Sequence, residues 1–292
     1  GGPYIFDCSN LIQLFLFFKS KAKVKHGSFE ALVHRPFFGA CVIGMRRGDG
    51  SSVDNNSAYV PAEKVQYNIF SNITGVSYPY DIYLPENYEE RTTSLPVIYV
   101  SDGNGTGQGF GNLIANAELD VILIAIHEGP PGRRNIDYLP PGVDDFYLFL
   151  TQELIPVVEA EYDIDPNERT LAGHSFGGAK TAHIMVSEDI GSQFFKNFII
   201  ADGSFWRIED TIYPLEEERY KASPWLEVTA IFSSTHIGNH PSVEAFYKHI
   251  QTKNYMGFNL PTLIEYKNLD HGKMWYHTYR DSLPILFPKE EI

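Results

Sequence analysis

The run Gly173-His174-Ser175-Phe176-Gly177-Gly178 has the residue types and spacing to do chemistry. A G-x-S-x-G pattern suits nucleophilic attack, because it displays a hydroxyl on a sharp turn while small flanking residues let a strand and a helix approach closely. Thr170-Leu171-Ala172 before it reads as a short buried strand, and residues 179–186 after it read as a helix that opens at the serine. Ser175 is therefore the candidate nucleophile, with the positive end of a helix dipole beside it.

Acyl transfer through a serine also requires a base and donors for the developing oxyanion. His271, in Asp270-His271-Gly272 behind the last strand-like run, is the candidate base, and Gly272 frees the loop to aim the ring. The expected oxyanion donors are the backbone amide of Phe176 and that of Gly103 or Asn104, in the glycine-rich loop Ser101-Asp102-Gly103-Asn104-Gly105-Thr106-Gly107. His174, pointing away from the serine by strand geometry, is expected to be structural or part of the pocket wall. The acid is the open position, since residues 234–240, where it would follow the strand at 228–233, include no carboxylate. Asp202, at the C-terminal end of the preceding strand, ranks first, because sites of open α/β sheets gather at such ends. Glu244 is the substitute in correct chain order, and a Ser–His dyad without an acid is the third reading.

These residues need elements to hold them. From Pro61 onward strand and helix signals alternate, as parallel βαβ construction demands. Residues 65–70 and 77–84 read as an antiparallel hairpin at the N-terminal edge of the sheet. Residues 95–100 and 121–126 are short continuous apolar runs suited to strands buried on both faces. A helix is expected over 144–161, interrupted at Pro156, then the serine strand and helix, strands at 198–201 and 228–233, a helix at 241–253, a strand at 262–266 and a closing helix at 275–287. That order is an α/β-hydrolase fold: a mostly parallel central sheet with helices on both faces. Residues 1–58 differ in texture, ending in a linker-like polar stretch, so the expected division is an N-terminal extension over 1–58 and a catalytic domain over 59–292.

Composition narrows the function classes. A chain of 292 residues with 43% hydrophobic and 21% charged residues is an ordinary globular protein. A formal net charge of −14 without clustered Lys and Arg argues against nucleic acid or anionic membrane as a partner. The acidic run Glu216-Glu217-Glu218 is expected on a solvated helix face or loop. Metal ligation is not expected: His236 and His240 are separated by Gly238 and Asn239 and followed by Pro241, and read as unrelated loop histidines. The 2 cysteines, Cys8 and Cys41, demand no disulfide framework. No apolar run reaches the ~18 residues of a membrane span. Residues 11–18 are apolar apart from Gln13 but carry their lysines behind them, which favours a cytoplasmic protein, an exported form being the alternative if that stretch is a processed or truncated signal. No pattern sets an oligomeric state.

The ordered set Tyr80-Asp81-Ile82-Tyr83-Leu84-Pro85-Glu86-Asn87-Tyr88, Val97-Ile98-Tyr99-Val100-Ser101-Asp102-Gly103, Arg134-Asn135-Ile136-Asp137-Tyr138-Leu139-Pro140, the serine turn and Asp270-His271-Gly272 resembles a family. It resembles the α/β-hydrolase esterases related to enterobactin-type siderophore esterases such as IroE and Fes, and more distantly esterase D and feruloyl esterases. The resemblance implies cofactor-free hydrolysis of a small-molecule ester by Ser175 and His271, with Arg134 and Asp137 in a segment close to the pocket, either contacting substrate or forming an ion pair within their loop. The chain departs from the pattern at Asp202-Gly203-Ser204-Phe205-Trp206, where relatives often carry Ser-Pro-Ser-Leu-Trp. Trp206 and Trp275 are compatible with a pocket for bulky or aryl esters. The expected activity is a serine esterase working through an acyl-serine. The alternatives are a catalytically silent hydrolase-fold binding module and an acyltransferase with a non-water acceptor. Siderophore lactone, feruloyl ester and simple acyl ester all stay open as substrates.

Overall fold

The computed structural model describes residues 61–289. Its sheet has eight strands in the order β1-β2-β4-β3-β5-β6-β7-β8, comprising β1 (Val65–Phe70), β2 (Ser77–Tyr83), β3 (Leu95–Val100), β4 (Ile122–Ile126), β5 (Ile164–His174), β6 (Asn197–Ala201), β7 (Thr229–Thr235) and β8 (Ile264–Tyr266). The β1–β2 and β2–β4 pairs are antiparallel, and every other pair is parallel. The expected edge hairpin is therefore present, and the mostly parallel sheet begins at β4.

Side-chain alternation explains why the central strands are sealed on both sides. In β3, Val97 and Tyr99 join one apolar cluster while Ile98 and Val100 join the other. In β4, Ile122, Ile124 and Ile126 face the first cluster, and Leu123 and Ala125 the second. A strand with apolar residues at both parities can be satisfied only between two layers of helix. One layer consists of α1 (Gly103–Asn116) and α8 (Met274–Leu286), whose Phe110, Ile114, Tyr279 and Leu283 fill the second cluster. The other includes α3 (Gly142–Phe149), α5 (Phe176–Ser187), α6 (Glu209–Ala222) and α7 (His240–Thr252), through Phe146, Ala182, Ile212 and Phe246. The short α2 (Arg133–Asp137) precedes α3, and α4 (Ile155–Glu161) continues it. Between α3 and α4 the chain widens into a π turn, Leu150–Leu154, directly before Pro156, whose ring nitrogen cannot donate to the helical ladder.

Two expectations are corrected. The glycine-rich segment behind β3 is not a loop throughout, since helix α1 begins at Gly103 after Asp102 adopts a left-handed backbone, φ 59°. The acidic run is not simply a solvated face: Glu216 is fully buried and bonds His249 and the hydroxyl of Tyr255. A helix side that looks polar in sequence here meets polar partners from α7 and the loop after it. The extension expected over residues 1–58 and both cysteines lie outside the described residues. Among the described residues, no helix is long and apolar enough to cross a membrane.

Candidate active site

Strand β5 ends at His174 and α5 starts at Phe176, so Ser175 forms the whole turn. Its backbone angles, φ 60° and ψ −119°, lie outside the favourable regions for a residue with a Cβ. Such a conformation costs about 1–3 kcal/mol and persists only when neighbours over-determine it. Here the Ser175 amide donates to the Ala201 carbonyl at 3.0 Å, and the Ser175 carbonyl accepts from Ser204 N–H at 2.9 Å. Gly173 is required by close approach: a Cβ there would lie 2.2 Å from the Gly177 carbonyl oxygen.

His271 reaches the serine from the loop between β8 and α8. Its Nε2 lies 3.0 Å from Ser175 Oγ, and its Nδ1 lies 2.5 Å from Asp202 Oδ2. A proton on Nδ1, donated to the carboxylate, leaves the Nε2 lone pair facing the serine hydroxyl. Asp202 is completely buried at the end of β6, where a charge must be matched by donors. Thr235 N–H donates to its Oδ1 at 3.0 Å, and Asn239 N–H lies 3.2 Å from both oxygens. The Asn239 side chain donates to the Asp202 carbonyl at 2.8 Å and to Ser204 Oγ at 3.1 Å, and Ser204 Oγ lies 3.3 Å from Ser175 Oγ. The His174 ring packs 4.6 Å from that of His271. Burial, reinforced by the neighbouring His271, lowers the His174 pKa to about 4, so at neutral pH it adds no charge beside the His271 imidazole.

Two helices start beside the serine. Phe176 is the first residue of α5, and Gly103 and Asn104 are the first residues of α1. The opening amides of a helix have no intrahelical acceptor and sit at its positive end, so both starts offer donors to an oxyanion. The starts are close, since a Cβ on Gly177 would lie 2.8 Å from Ser101 Oγ. Arg134 orients the α1 start through a two-pronged ion pair with Asp102, Nε to Oδ1 at 2.7 Å and Nη2 to Oδ2 at 2.9 Å. Its guanidinium also sits 5.3 Å from the ring centroids of Tyr138 and Phe176. The Tyr138 hydroxyl accepts from Asp102 N–H at 3.2 Å.

Comparison with known proteins finds likenesses in sequence and in fold. The Esterase family model, described as "Putative esterase", matches residues 71–188. Ferri-bacillibactin esterase BesA of Bacillus subtilis is 26% identical over 100 residues, 34% of either chain, so the match spans about a third of that relative's length. An IroE-like serine hydrolase from Shewanella oneidensis superposes with a TM-score of 0.67 at 20% identity, over 79% of this chain and 82% of that one. The chain has the fold of the IroE-like α/β-hydrolases. The siderophore hydrolase EstA from Aspergillus nidulans shares it, with a TM-score of 0.66 at 17% identity over 82% of this chain and 97% of the other.

Within this IroE-like fold the residues read from sequence divide into those that meet and those that do not. Ser175, His271 and Asp202 meet in one hydrogen-bonded line. Glu244 does not join it: on α7 it pairs with Lys248 one turn along, at 2.6 Å. Asp137 is also corrected. It is buried, accepts from the Tyr78 hydroxyl at 2.8 Å and pairs with Arg133 at 2.6 Å, so its carboxylate is committed inside the fold and unavailable to a substrate. The ion pair conceivable between Arg134 and Asp137 is replaced by separate pairs, Arg134 with Asp102 and Asp137 with Arg133. Trp206 is half exposed near the serine and donates its indole N–H to Asn239 Oδ1 at 3.0 Å. Asn239 and Ser204 are site residues that sequence reasoning missed. A signal for Asn239 existed: the loop lacking the expected carboxylate is the loop that supplies donors to Asp202. His236 and His240 are not unrelated, for their rings stack with centroids 4.0 Å apart.

Proposed function

We propose that the chain is a serine-dependent carboxylic ester hydrolase, its catalytic unit carried by residues 59–292. The observation that carries this reading is the continuous line from Asp202 Oδ2 through the His271 ring to Ser175 Oγ, with steps of 2.5 and 3.0 Å. In this mechanism Ser175 Oγ attacks the ester carbonyl carbon while His271 Nε2 takes the hydroxyl proton. The carbonyl oxygen becomes an oxyanion facing the amides of Phe176 and of Gly103 or Asn104. His271 returns the proton to the departing alkoxide, the C–O bond breaks, and an acyl-serine remains. Water, deprotonated by His271, then releases the acid and regenerates Ser175. Asp202 keeps the imidazole in the useful tautomer and balances its transient positive charge.

The absence of a carboxylate after β7 is what favours a silent binding module; the buried carboxylate of Asp202, 2.5 Å from His271 Nδ1, supports the hydrolase reading over it. For substrate class we infer an ester or lactone of a siderophore type, supported by likeness to proteins named ferri-bacillibactin esterase and siderophore hydrolase. A fluorophosphonate probe read by intact mass tests the nucleophile. The wild-type chain should gain one adduct on Ser175 and Ser175→Ala none, and a folded wild-type chain that stays unlabelled refutes the proposal. Hydrolysis of bacillibactin, a feruloyl ester and short p-nitrophenyl esters, compared by kcat/KM, tests the substrate class.

A further inference from the structure

Outside the serine site, His236, His240 and Glu265 converge so that one ligand atom of each lies within 4.8 Å of the others. His236 belongs to the loop after β7, His240 opens α7 and Glu265 is the middle residue of β8. Strand register brings them together: β8 pairs in parallel with β7, Ser234 opposite Glu265 and Thr235 opposite Tyr266. His236 N–H extends that ladder by donating to the Tyr266 carbonyl at 3.0 Å. Glu265 Oε2 then lies 3.0 Å from His236 Nε2, while the His236 and His240 rings stack 4.0 Å apart.

An ordinary surface ion pair accounts for His236 and Glu265 alone. It does not account for His240, whose Nδ1 is held 2.8 Å from the hydroxyl of the fully buried Ser234. If Nδ1 donates its proton to Ser234 Oγ, Nε2 keeps a lone pair, which is how outer hydrogen bonds prepare metal-binding imidazoles. Two imidazoles and a carboxylate are a donor set suited to a borderline divalent ion, with a fourth position left for water. The parallel rings must turn to aim both lone pairs at one ion. The partial exposure of His236 and Glu265, 39% and 44% of their side chains, leaves room for that turn.

We propose that His236, His240 and Glu265 form a binding site for a zinc-class divalent ion that braces the loop holding the catalytic acid. The stretch from Thr235 to Asn239, whose end amides grip Asp202, contains His236 and is followed directly by His240. An ion bound there ties that loop and the start of α7 to β8. The site is separate from the serine chemistry and stands or falls independently of it.

The test uses zinc alone, added to the full chain after chelator treatment, with isothermal titration and thermal melting as readouts. Wild type and Ser175→Ala should bind one zinc with the same affinity and melt at a higher temperature in its presence. His236→Ala and His240→Ala should each bind at least about tenfold more weakly. Glu265→Gln, which keeps the shape of the side chain, guards against a misfolded histidine variant and should weaken binding likewise. Cobalt in place of zinc should give the visible absorption of a four-coordinate nitrogen and oxygen site, absent from the histidine variants. No zinc binding by the folded wild-type chain, or undiminished binding by a His236→Ala/His240→Ala double variant, overturns the proposal.

Discussion

Ser175 is held by its own stretch of chain, whereas Asp202 is held by residues far from it in sequence. The serine turn is set by the end of β5, the start of α5 and the glycines that flank Ser175, with backbone hydrogen bonds from Ala201 and Ser204. The acid sits at the end of β6, and its carboxylate is gripped by Thr235, Asn239 and His271, between 33 and 69 residues further along. The first corner uses local strain, and the second uses long-range hydrogen bonding to stabilise a buried charge. A local motif can tolerate change elsewhere, while a corner assembled across the sheet depends on every strand end keeping its place.

That contrast can be broken most sharply at its two centres. Ser175→Ala should lower kcat by about 10⁴-fold or more, measured on p-nitrophenyl esters, with the unfolding midpoint little changed, because alanine keeps the Cβ that strains the turn. Asp202→Asn should follow at about 10³- to 10⁴-fold in kcat, because an amide N–H facing Nδ1 favours the tautomer that aims a proton at the serine. Its fluorophosphonate labelling at Ser175 should slow in parallel while the fold persists by circular dichroism. Equal activity of Asp202→Asn and wild type would remove the acid from the mechanism.

Smaller changes separate positioning from chemistry. A Cβ added at Gly238 would fall 2.4 Å from Asp202 Oδ2 and 3.3 Å from His271 Nδ1, although Gly238 itself lies on the acid loop and not in the hydrogen-bonded line. Gly238→Ala should therefore reduce kcat about 10²-fold with KM little changed, as expected when a catalytic group is displaced by about 1 Å. A loss in KM alone would contradict the contact.

The weakest expected effect concerns stability on the nucleophile side. Lys180 in α5 is fully buried, and its Nζ has no hydrogen-bond partner among the described residues and stands 4.4 and 4.6 Å from the ring centroids of Tyr138 and Phe146. Burial, partly offset by the charges of Asp102 and Asp137, lowers its pKa to about 7. The unfolded chain keeps this proton up to the ordinary lysine range near 10.5, so between about pH 7 and 10.5 the unfolded state binds more protons and Lys180 makes stability rise with pH. Lys180→Met should stabilise the fold at pH 7 by about 1–4 kcal/mol and flatten that rise, as read by denaturant unfolding across the range. A Met variant that is less stable with an unchanged slope would show that the ammonium is a net structural asset.

Much of the fold was legible because its strands carry apolar residues at both parities, a pattern with few structural solutions. The esterase reading drawn from the ordered motifs is in line with the Esterase family model over residues 71–188, and the expected fold with that of the IroE-like serine hydrolase and EstA. Helix α1 was not legible, since Gly103, Gly105, Gly107, Gly109 and Gly111 argue against a helix by propensity. Packing overrides that preference: added side chains at Gly107 and Gly111 would run into Ala125 and Tyr83. The buried face of α6 was hidden for a related reason, because Glu216 looks solvated until His249 and Tyr255 close over it.

Taken alone, the amino-acid sequence determined the serine turn, the succession of strands along the chain and the place of His271, because each follows from short-range backbone preferences and from the spacing of apolar runs. Tertiary structure alone brought Asp202, and not Glu244, to the His271 ring, separated Arg134 from Asp137 and stacked His236 on His240. Those outcomes depend on which strand ends meet across the sheet and on where a buried charge finds donors. Such distances do not exist until the chain has folded.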